Sequence, residues 1–373
     1  MNPVRRTRIL IVDDSAVMRS LLRSVVCSEA GLEVAGTAGD GETALSAIES
    51  LRPDLVLLDV EMPVMDGLVT LKKLRARGQK MPVIMCSSLT QRGAKVTIEA
   101  LASGASDYVA KPSGQSNREQ ATRALAQELI PKIQALTSQT QANPPASVRA
   151  PLILPMAPPF KAQPISSVPV ALAIGVSTGG PAALDILLPA LPGSYPLPVL
   201  IVQHMPELFT KLFAERLNGR CAMRVHEACE GEPVQAGTIY IAKGNWHLEV
   251  LAGARPGTPH TLHLTQGAPE NHCRPAVDVL FRSVAAVYGS GSLALVLTGM
   301  GSDGMLGSRV IREHGGTVLA QDQASSTVWG MPGAVANAGL AQKILPLPAV
   351  AQELIRLAGQ RRAEAHELRE VVV

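Results

Sequence analysis

Two series of short apolar runs, each run set between helical patterns and Gly-rich turns, constrain the fold of this chain more than any other feature. The first series is Ile9 to Val12, Leu55 to Leu58, Val83 to Met85 and Tyr108 to Ala110. The second is Val170 to Ile174, Val199 to Val202, Ile239 to Ile241 and Leu293 to Leu297. Such alternation reads as strands of parallel α/β sheets. Between the two series, residues 143 to 169 carry eight prolines, with Arg149 and Lys161 as the only charges. Repeated proline removes backbone donors and favours extended chain, so this stretch reads as an interdomain linker. Its Leu152, Ile153, Leu154, Met156 and Phe160 are more apolar than a free linker needs.

The 373 residues suffice for two domains, and 46% apolar content supplies their cores. Aromatics make up only 3%, so stacking platforms for single-stranded nucleic acid are scarce. A net charge of +3 does not by itself imply a DNA or membrane partner. No run approaches the roughly 18 apolar residues of a membrane helix. Arg5, Arg6 and Arg8 precede an apolar stretch, but it runs at once into Asp13 and Asp14, unlike a signal peptide. Five scattered cysteines with no C-x-x-C pair fit reduced thiols and predict a cytoplasmic protein.

In the first series the polar residues fall at strand ends. The first run meets Asp13 and Asp14, the second Asp59, the third Ser87, the fourth Lys111. Open parallel sheets build ligand sites at the carboxyl ends of their strands. Clustered carboxylates repel unless a cation holds them, and oxygen-only ligands favour Mg²⁺. A carboxylate there can attack a phosphoryl donor, with Lys111 and the Ser87 hydroxyl holding the phosphoryl oxygens. The blander reading, that each Asp caps a following helix, fits one Asp but not five matched groups.

The segments ILIVDDS, DLVLLDVEMPVMDG, MCSSLT and DYVAKP, within residues 7 to 125, resemble the two-component receiver domain, the CheY-like module. The resemblance implies that Asp59 is the phosphoacceptor. It implies that Asp14, Asp59 and the carbonyl of Glu61 hold Mg²⁺ with help from Asp13, and that Ser87 and Lys111 sense the phosphoryl group. Tyr108 matches the aromatic switch position. A receiver is a switch, so an output is expected beyond the linker.

In the second series, AIGVSTGGPAAL sets Ser177 between Gly175 and Gly179 as G-x-S-x-G. A strand–turn–helix there exposes a hydroxyl and turns free helix N–H groups toward an oxyanion. Such turns are also common in α/β folds without catalysis. A serine nucleophile needs a base, and His204 follows the run Val199 to Val202. His226, His247 and His263 lie in alternating segments and read as surface or satisfied histidines. His260, His263, His272 and Cys273 fit no standard zinc spacing. An orienting carboxylate is offered by Asp303, in a Gly-rich turn past Leu293 to Leu297. Asp185 and Asp278 are rivals, with Asp185 read as solvation on its helix. The order Ser177, His204, Asp303 is not that of the α/β-hydrolases.

IGVSTGGPAAL, VLIVQHMP, AKGNWHLEV, NHCRPAVDVLFRSVA, LVLTGMGSDG and DQASSTVWGMPGAV resemble the chemotaxis-type protein-glutamate methylesterases, the CheB family, over about residues 168 to 358. The resemblance implies Ser177 as nucleophile, His204 as general base and acid, Asp303 as its orienter, and the N–H groups of Thr178 and Met300 as oxyanion hole. Together the resemblances predict two doubly wound parallel-sheet domains: a flavodoxin-like receiver over residues 1–125 and a Rossmann-like methylesterase domain over 168–360. A helix end and linker fill 126–167, and 361–373 form a tail outside the match. They imply an esterase that demethylates glutamyl esters of methyl-accepting chemotaxis receptors and deamidates glutamines. A CheA-type histidine kinase would supply the phosphoryl group and relieve inhibition by the receiver. A DNA-binding output is disfavoured because no basic helix–turn–helix follows the linker, and a non-catalytic scaffold because all three triad positions are intact.

Overall fold

The computed structural model describes residues 5–112, 118–138, 168–255 and 257–370, except the side chains of residue 118 and of residues 360–370. The Pro-rich segment, with its apolar residues, lies outside the described residues apart from its last two positions. The chain divides into two compact units, Met1–Pro144 and Pro145–Val373.

The first unit alternates strictly: β1 Thr7–Val12, α1 Ala16–Cys27, β2 Leu32–Ala38, α2 Gly41–Leu51, β3 Leu55–Asp59, α3 Gly67–Ala76, β4 Val83–Ser87, α4 Gln91–Ala102, β5 Asp107–Ala110 and α5 Arg118–Ser138. Its sheet has the order β2-β1-β3-β4-β5, with every pair parallel. This is the doubly wound, flavodoxin-like arrangement, with its switch point between β1 and β3. The four apolar runs are β1, β3, β4 and β5. The fifth strand, β2, is absent from the sequence reading, because LEVAGTA sits at the sheet edge and is mostly half-buried. Leu125, Leu129, Ile133 and Leu136 of α5 are buried. The helix therefore stays part of this core well past residue 125.

The second unit comprises β6 Ala171–Val176, α6 Gly180–Leu187, β7 Val199–Gln203, α7 Glu207–Asn218, β8 Arg224–Glu227, β9 Thr238–Ile241, β10 His247–Leu251, β11 Thr261–Thr265, α8 Val277–Tyr288, β12 Ser292–Val296, α9 Met305–Glu313, β13 Thr317–Gln321, α10 Met331–Asn337, β14 Lys343–Leu345 and α11 Leu347–Glu370. Seven strands form one sheet in the order β14-β13-β12-β6-β7-β9-β8. All its pairs are parallel. The chain enters at β6 and winds outward both ways, a Rossmann-like plan with its switch point between β6 and β12. The antiparallel hairpin β10–β11 covers α8, burying Leu248, Val250 and Leu262 in the core that holds Leu280, Phe281 and Val284. The runs β6, β7 and β12 are buried throughout, as strands covered on both faces must be. Helix α11 continues through residues 361–370 of the expected tail.

Candidate functional site

In the first unit the helix N-caps are Ser15, Asp40, Asp66 and Thr90. Asp13, Asp14 and Asp59 cap nothing and are left to face one another beside the β1–β3 switch point. Their carboxylate oxygens lie within 4.8 Å of one another. Lys111 Nζ bridges two of them, 2.8 Å from Asp13 Oδ2 and 2.7 Å from Asp59 Oδ1. Burial pushes the Asp59 carboxyl up to about 6 despite Lys111, with Asp13 adding to the rise. Burial works against the Lys111 ammonium, yet its bonds to Asp13 and Asp59 raise its pKa. Three carboxylates thus face one ammonium, an all-oxygen donor set that fits a hard divalent cation.

The other residues expected of a receiver lie just past β3, at the end of β4 and in β5. The Glu61 N–H donates to Asp59 Oδ1 at 3.4 Å, and Glu61 lines an open hollow with Asp14, Met62, Pro63 and Arg92. Ser87 is buried at the end of β4, its Oγ accepting from Thr97 Oγ1 at 2.7 Å. Tyr108 is buried in β5, with Lys132 Nζ 5.0 Å from its ring centre.

In the second unit the three central strands β12, β6 and β7 set the active geometry. Val176 is in register with Gln203, so Ser177 and His204 leave adjacent strands side by side. The Ser177 N–H donates to Thr298 O at 3.0 Å, and the His204 N–H to Val176 O at 3.3 Å. The turn requires its glycines for separate reasons. Gly179 has φ +76°, the left-handed region. A Cβ on Gly180 would lie 2.1 Å from Gln203 Oε1. Pro181 then opens α6, where its missing N–H costs no helical bond.

His204 Nε2 bonds Asp303 Oδ2 at 2.9 Å. Asp303 is buried and fully engaged. Its Oδ2 also accepts from the Val277 N–H at 2.7 Å, and its Oδ1 from the Asp278 and Gly304 N–H groups at 3.0 Å and from Asn271 Nδ2 at 2.9 Å. Burial opposes the Asp303 charge, but His204 and these donors hold its pKa below the usual carboxylate value. Burial likewise opposes a charged His204, but its bonds to Asp303 and Cys273 raise it to about 9. Cys273 Sγ lies 3.6 Å from His204 Nδ1. No hydrogen bond joins Ser177 Oγ to His204 in this structure. The His–Asp half of the predicted triad is formed, and the serine stands beside it.

The rival carboxylates go elsewhere. Asp278 is buried behind Asp303, and the Asn271 amide links the two, reaching Asp278 Oδ2 at 2.9 Å. Burial, with Asp303 nearby, raises Asp278 to about 6. Asp185 is not a solvating residue. It is mostly buried and bonds Arg216 at 3.3 Å and Arg220 at 3.1 Å, tying α6 to the end of α7. His226 pairs with Glu232, His263 with Glu230, and His247 is held by Ala268 O and the Ala276 N–H.

Thr178 is buried, and its carbonyl accepts from Thr298 Oγ1 at 2.9 Å. Met300 follows Gly299, whose N–H donates to Val328 O and whose carbonyl accepts from Gly330 and Met331. Four residues around the triad were not singled out from the sequence for this role: Gln203, Asn271, Cys273 and Thr298. Gln203 and Thr298 carried a signal, since Gln203 ends β7 and Thr298 follows β12 at the same sheet edge as the triad. Asn271 and Cys273 stand in the long connection from β11 to α8, where nothing local marks them.

The CheB methylesterase family model matches residues 172–354, and the response regulator receiver domain model matches residues 9–123. The protein-glutamate methylesterase/protein-glutamine glutaminase of Trichodesmium erythraeum is 47% identical over 352 residues, covering 94% of this chain and 99% of that protein. A Nocardioides protein of the same description is 48% identical over 365 residues, covering 95% of this chain and 96% of its own. Among solved structures, the Thermotoga maritima CheB methylesterase catalytic domain shares 41% identity over 51% of this chain and 98% of that one, with a TM-score of 0.49. The chain belongs to the CheB family, protein-glutamate methylesterases/protein-glutamine glutaminases that carry a receiver domain.

Proposed function

We propose that this chain is a phosphorylation-controlled esterase that hydrolyses glutamyl methyl esters on methyl-accepting chemotaxis receptors, and that it deamidates receptor glutamines at the same site. The observation that carries the reading is the buried His204–Asp303 bond at 2.9 Å, set beside Ser177 by adjacent parallel strands. With Nε2 held by Asp303, Nδ1, which faces Cys273 Sγ at 3.6 Å, is the nitrogen that takes the Ser177 proton. Ser177 Oγ attacks the ester carbonyl carbon, and the electron pair moves to the carbonyl oxygen. The N–H groups of Thr178 and Met300 stabilise that oxyanion; losing one such donor typically costs about 10²–10³ in rate. The tetrahedral adduct collapses, His204 returns the proton to the leaving methoxide, and methanol departs. Water, deprotonated by His204, then releases the glutamate side chain and restores Ser177. With a glutamine amide the leaving group is ammonia.

The receiver assignment rests on the cluster at the β1–β3 switch point. Asp59 is the phosphoacceptor, and a CheA-type histidine kinase is the donor. Asp13, Asp14, Asp59 and the Glu61 carbonyl would hold Mg²⁺, which supplies charge neutralisation for the incoming phosphoryl group. Ser87 and Lys111 hold phosphoryl oxygens, and phosphorylation relieves inhibition of the esterase. We assign the receiver to residues 1–138, since α5 belongs to its core beyond the expected bound at 125, the connection to 139–167 and the esterase to 168–360, and place the enzyme in the cytoplasm. No helix among the described residues is long and apolar enough to cross a membrane, and we expect no nucleic-acid partner.

Methanol release from methylated receptor tests the esterase. Ser177→Ala is expected to abolish it, and near-wild-type turnover would overturn the nucleophile assignment. Deleting residues 1–140, a cut beyond α5, is expected to raise the rate above that of the unphosphorylated full chain. An unchanged rate would rule out inhibition by the receiver.

A further inference from the structure

We propose that Gln203 is a positioning residue that aims the Thr178 N–H into the oxyanion site, an inference that rests on the serine-esterase reading above. The Ser177 carbonyl and the Thr178 N–H belong to one peptide group. The cis peptide among the described residues is Arg274–Pro275, so this group is trans. In a planar trans peptide the C=O and N–H point in opposite directions. Whatever grips the Ser177 oxygen therefore sets the aim of the Thr178 hydrogen.

That oxygen has two partners. The Gly180 N–H reaches it at 2.7 Å, a bond inside the turn that moves with the turn. Gln203 Nε2 reaches it at 3.2 Å and is anchored outside, at the end of β7. The same Nε2 lies 3.4 Å from the His204 carbonyl, so one amide ties the nucleophile's peptide to the strand that carries the base. The neighbouring peptides are held from the other side, where Thr298 O accepts from the Ser177 N–H and Thr298 Oγ1 donates to Thr178 O. At the carbonyl of the central peptide, Gln203 is the partner that is anchored outside the turn.

A space-filling role does not account for the residue. Gln203 is 2% exposed, and its Oε1 is buried without a hydrogen-bond partner. An unpaired buried acceptor is unfavourable, so Leu or Met would fill the space better. What an apolar residue lacks is the donor. The glycine at 180 has the matching requirement, because a Cβ there would meet Gln203 Oε1 at 2.1 Å.

The test uses the full chain and methanol release from methylated receptor, with an alkyl boronic acid as a mimic of the tetrahedral adduct on Ser177. Gln203→Met keeps the volume and removes the donor. We expect kcat to fall about tenfold or more with KM within about twofold, since only a transition-state contact is lost. Boronate affinity should weaken in parallel, while the thermal midpoint stays close to wild type. A kcat within twofold of wild type overturns the proposal, as does a fall in kcat with boronate affinity unchanged. If Gln203→Met is insoluble, Gly180→Ala decides, because it displaces the same amide without removing it; full kcat in that variant overturns the proposal. Ser177→Ala separates the two levels. Turnover in Ser177→Ala removes the serine reading itself, whereas an inactive Ser177→Ala beside an active Gln203→Met removes only the role of Gln203.

Discussion

The two units place their polar residues by the same rule and finish them in opposite ways. Both sites stand at carboxyl ends of parallel strands beside a switch point, β1/β3 in one and β6/β12 in the other. In the receiver, three carboxylates face a single ammonium, with Asp14 exposed. In the esterase unit, Asp303 accepts from His204, three backbone N–H groups and Asn271. The first cluster is left short of positive charge, as suits the uptake of a cation and a phosphoryl group proposed above. The second has its carboxylate saturated, as suits a charge that must stay fixed while a proton moves at the far side of the imidazole. Burial alone does not separate them, since Asp59 and Asp303 are both buried. The supply of donors does, and it shows in opposite pKa directions, up for Asp59 and down for Asp303.

The sharpest break of this comparison is a paired substitution. Asp303→Asn should lower kcat about 10³–10⁴-fold, because an amide in that position mis-sets the imidazole tautomer and cannot stabilise its charged form. Its NH₂ would also face N–H donors at Val277, Asp278 or Gly304. Asp59→Asn should leave the unphosphorylated esterase rate within about twofold and abolish its response to a small phosphodonor. Methanol release with and without phosphodonor measures both. Equal losses of basal rate would mean that the two sites do not divide chemistry from control.

Next in size is the pH response. General base catalysis needs neutral His204, and its pKa stands at about 9. The rate kcat/KM should therefore climb about tenfold per pH unit from pH 7 and level off near pH 9. Cys273 contributes to that elevation through its contact with Nδ1. Cys273→Ala should shift the rise to lower pH, increasing the rate at pH 7 a few-fold and leaving the plateau unchanged. A profile that is flat between pH 7 and 9 would contradict the pairing of His204 with Asp303 and Cys273.

Stability should divide by pH in the same way. Asp59 is raised from 3.8 to about 6, so the folded receiver holds that proton more tightly, and stability falls as pH rises from about 4 to 6. His204 is raised from 6.5 to about 9; its contribution is full below about 6.5 and is lost as pH rises through 9. Each window is worth on the order of 3 kcal/mol. Calorimetry of the full chain should show one transition weakening as pH rises from about 4 to 6 and the other weakening as pH rises from about 6.5 to 9. Added Mg²⁺ should restore only the first, by binding the folded carboxylates. Restoration of both would mean that the second unit also takes the cation.

What the sequence made legible follows from the same contrast. Asp13, Asp14, Asp59, Ser87 and Lys111 were readable because each ends or follows an apolar run and is charged or hydroxylic. Ser177, His204 and Asp303 were readable for the same reason. Gln203 and Thr298 obey the positional rule too, but act through backbone carbonyls and N–H groups, for which side-chain identity is a weak signal. Asn271 and Cys273 reach the triad from an irregular connection, and only the packing of α8 beneath Asp303 brings them there. Strand β2 escaped for a related reason, since a half-buried edge strand with a central glycine lacks the continuous apolar run that marked the others.

The smallest test concerns the turns beside the two sites. In the esterase unit the left-handed positions around the triad are Gly179 at φ +76°, Gly301 at +81° and Gly304 at +91°, with Asn271 at +52° and His272 at +62°, and none of them is β-branched. In the receiver the turn between β3 and α3 places Val64 at φ +65°. A β-branched residue in that region clashes with its own backbone, at a cost of order 1–3 kcal/mol. Nothing in packing offsets it, because Val64 is 82% exposed. Val64→Gly should relieve the clash and also make the unfolded chain more flexible, which works against it. The net expectation is a gain of about 1 kcal/mol in the receiver transition alone, read as a higher urea midpoint with unchanged slope. A loss of stability would mean that the side chain makes a contact that its exposure does not reveal, and that the two sites differ in their turns as well as in their donors.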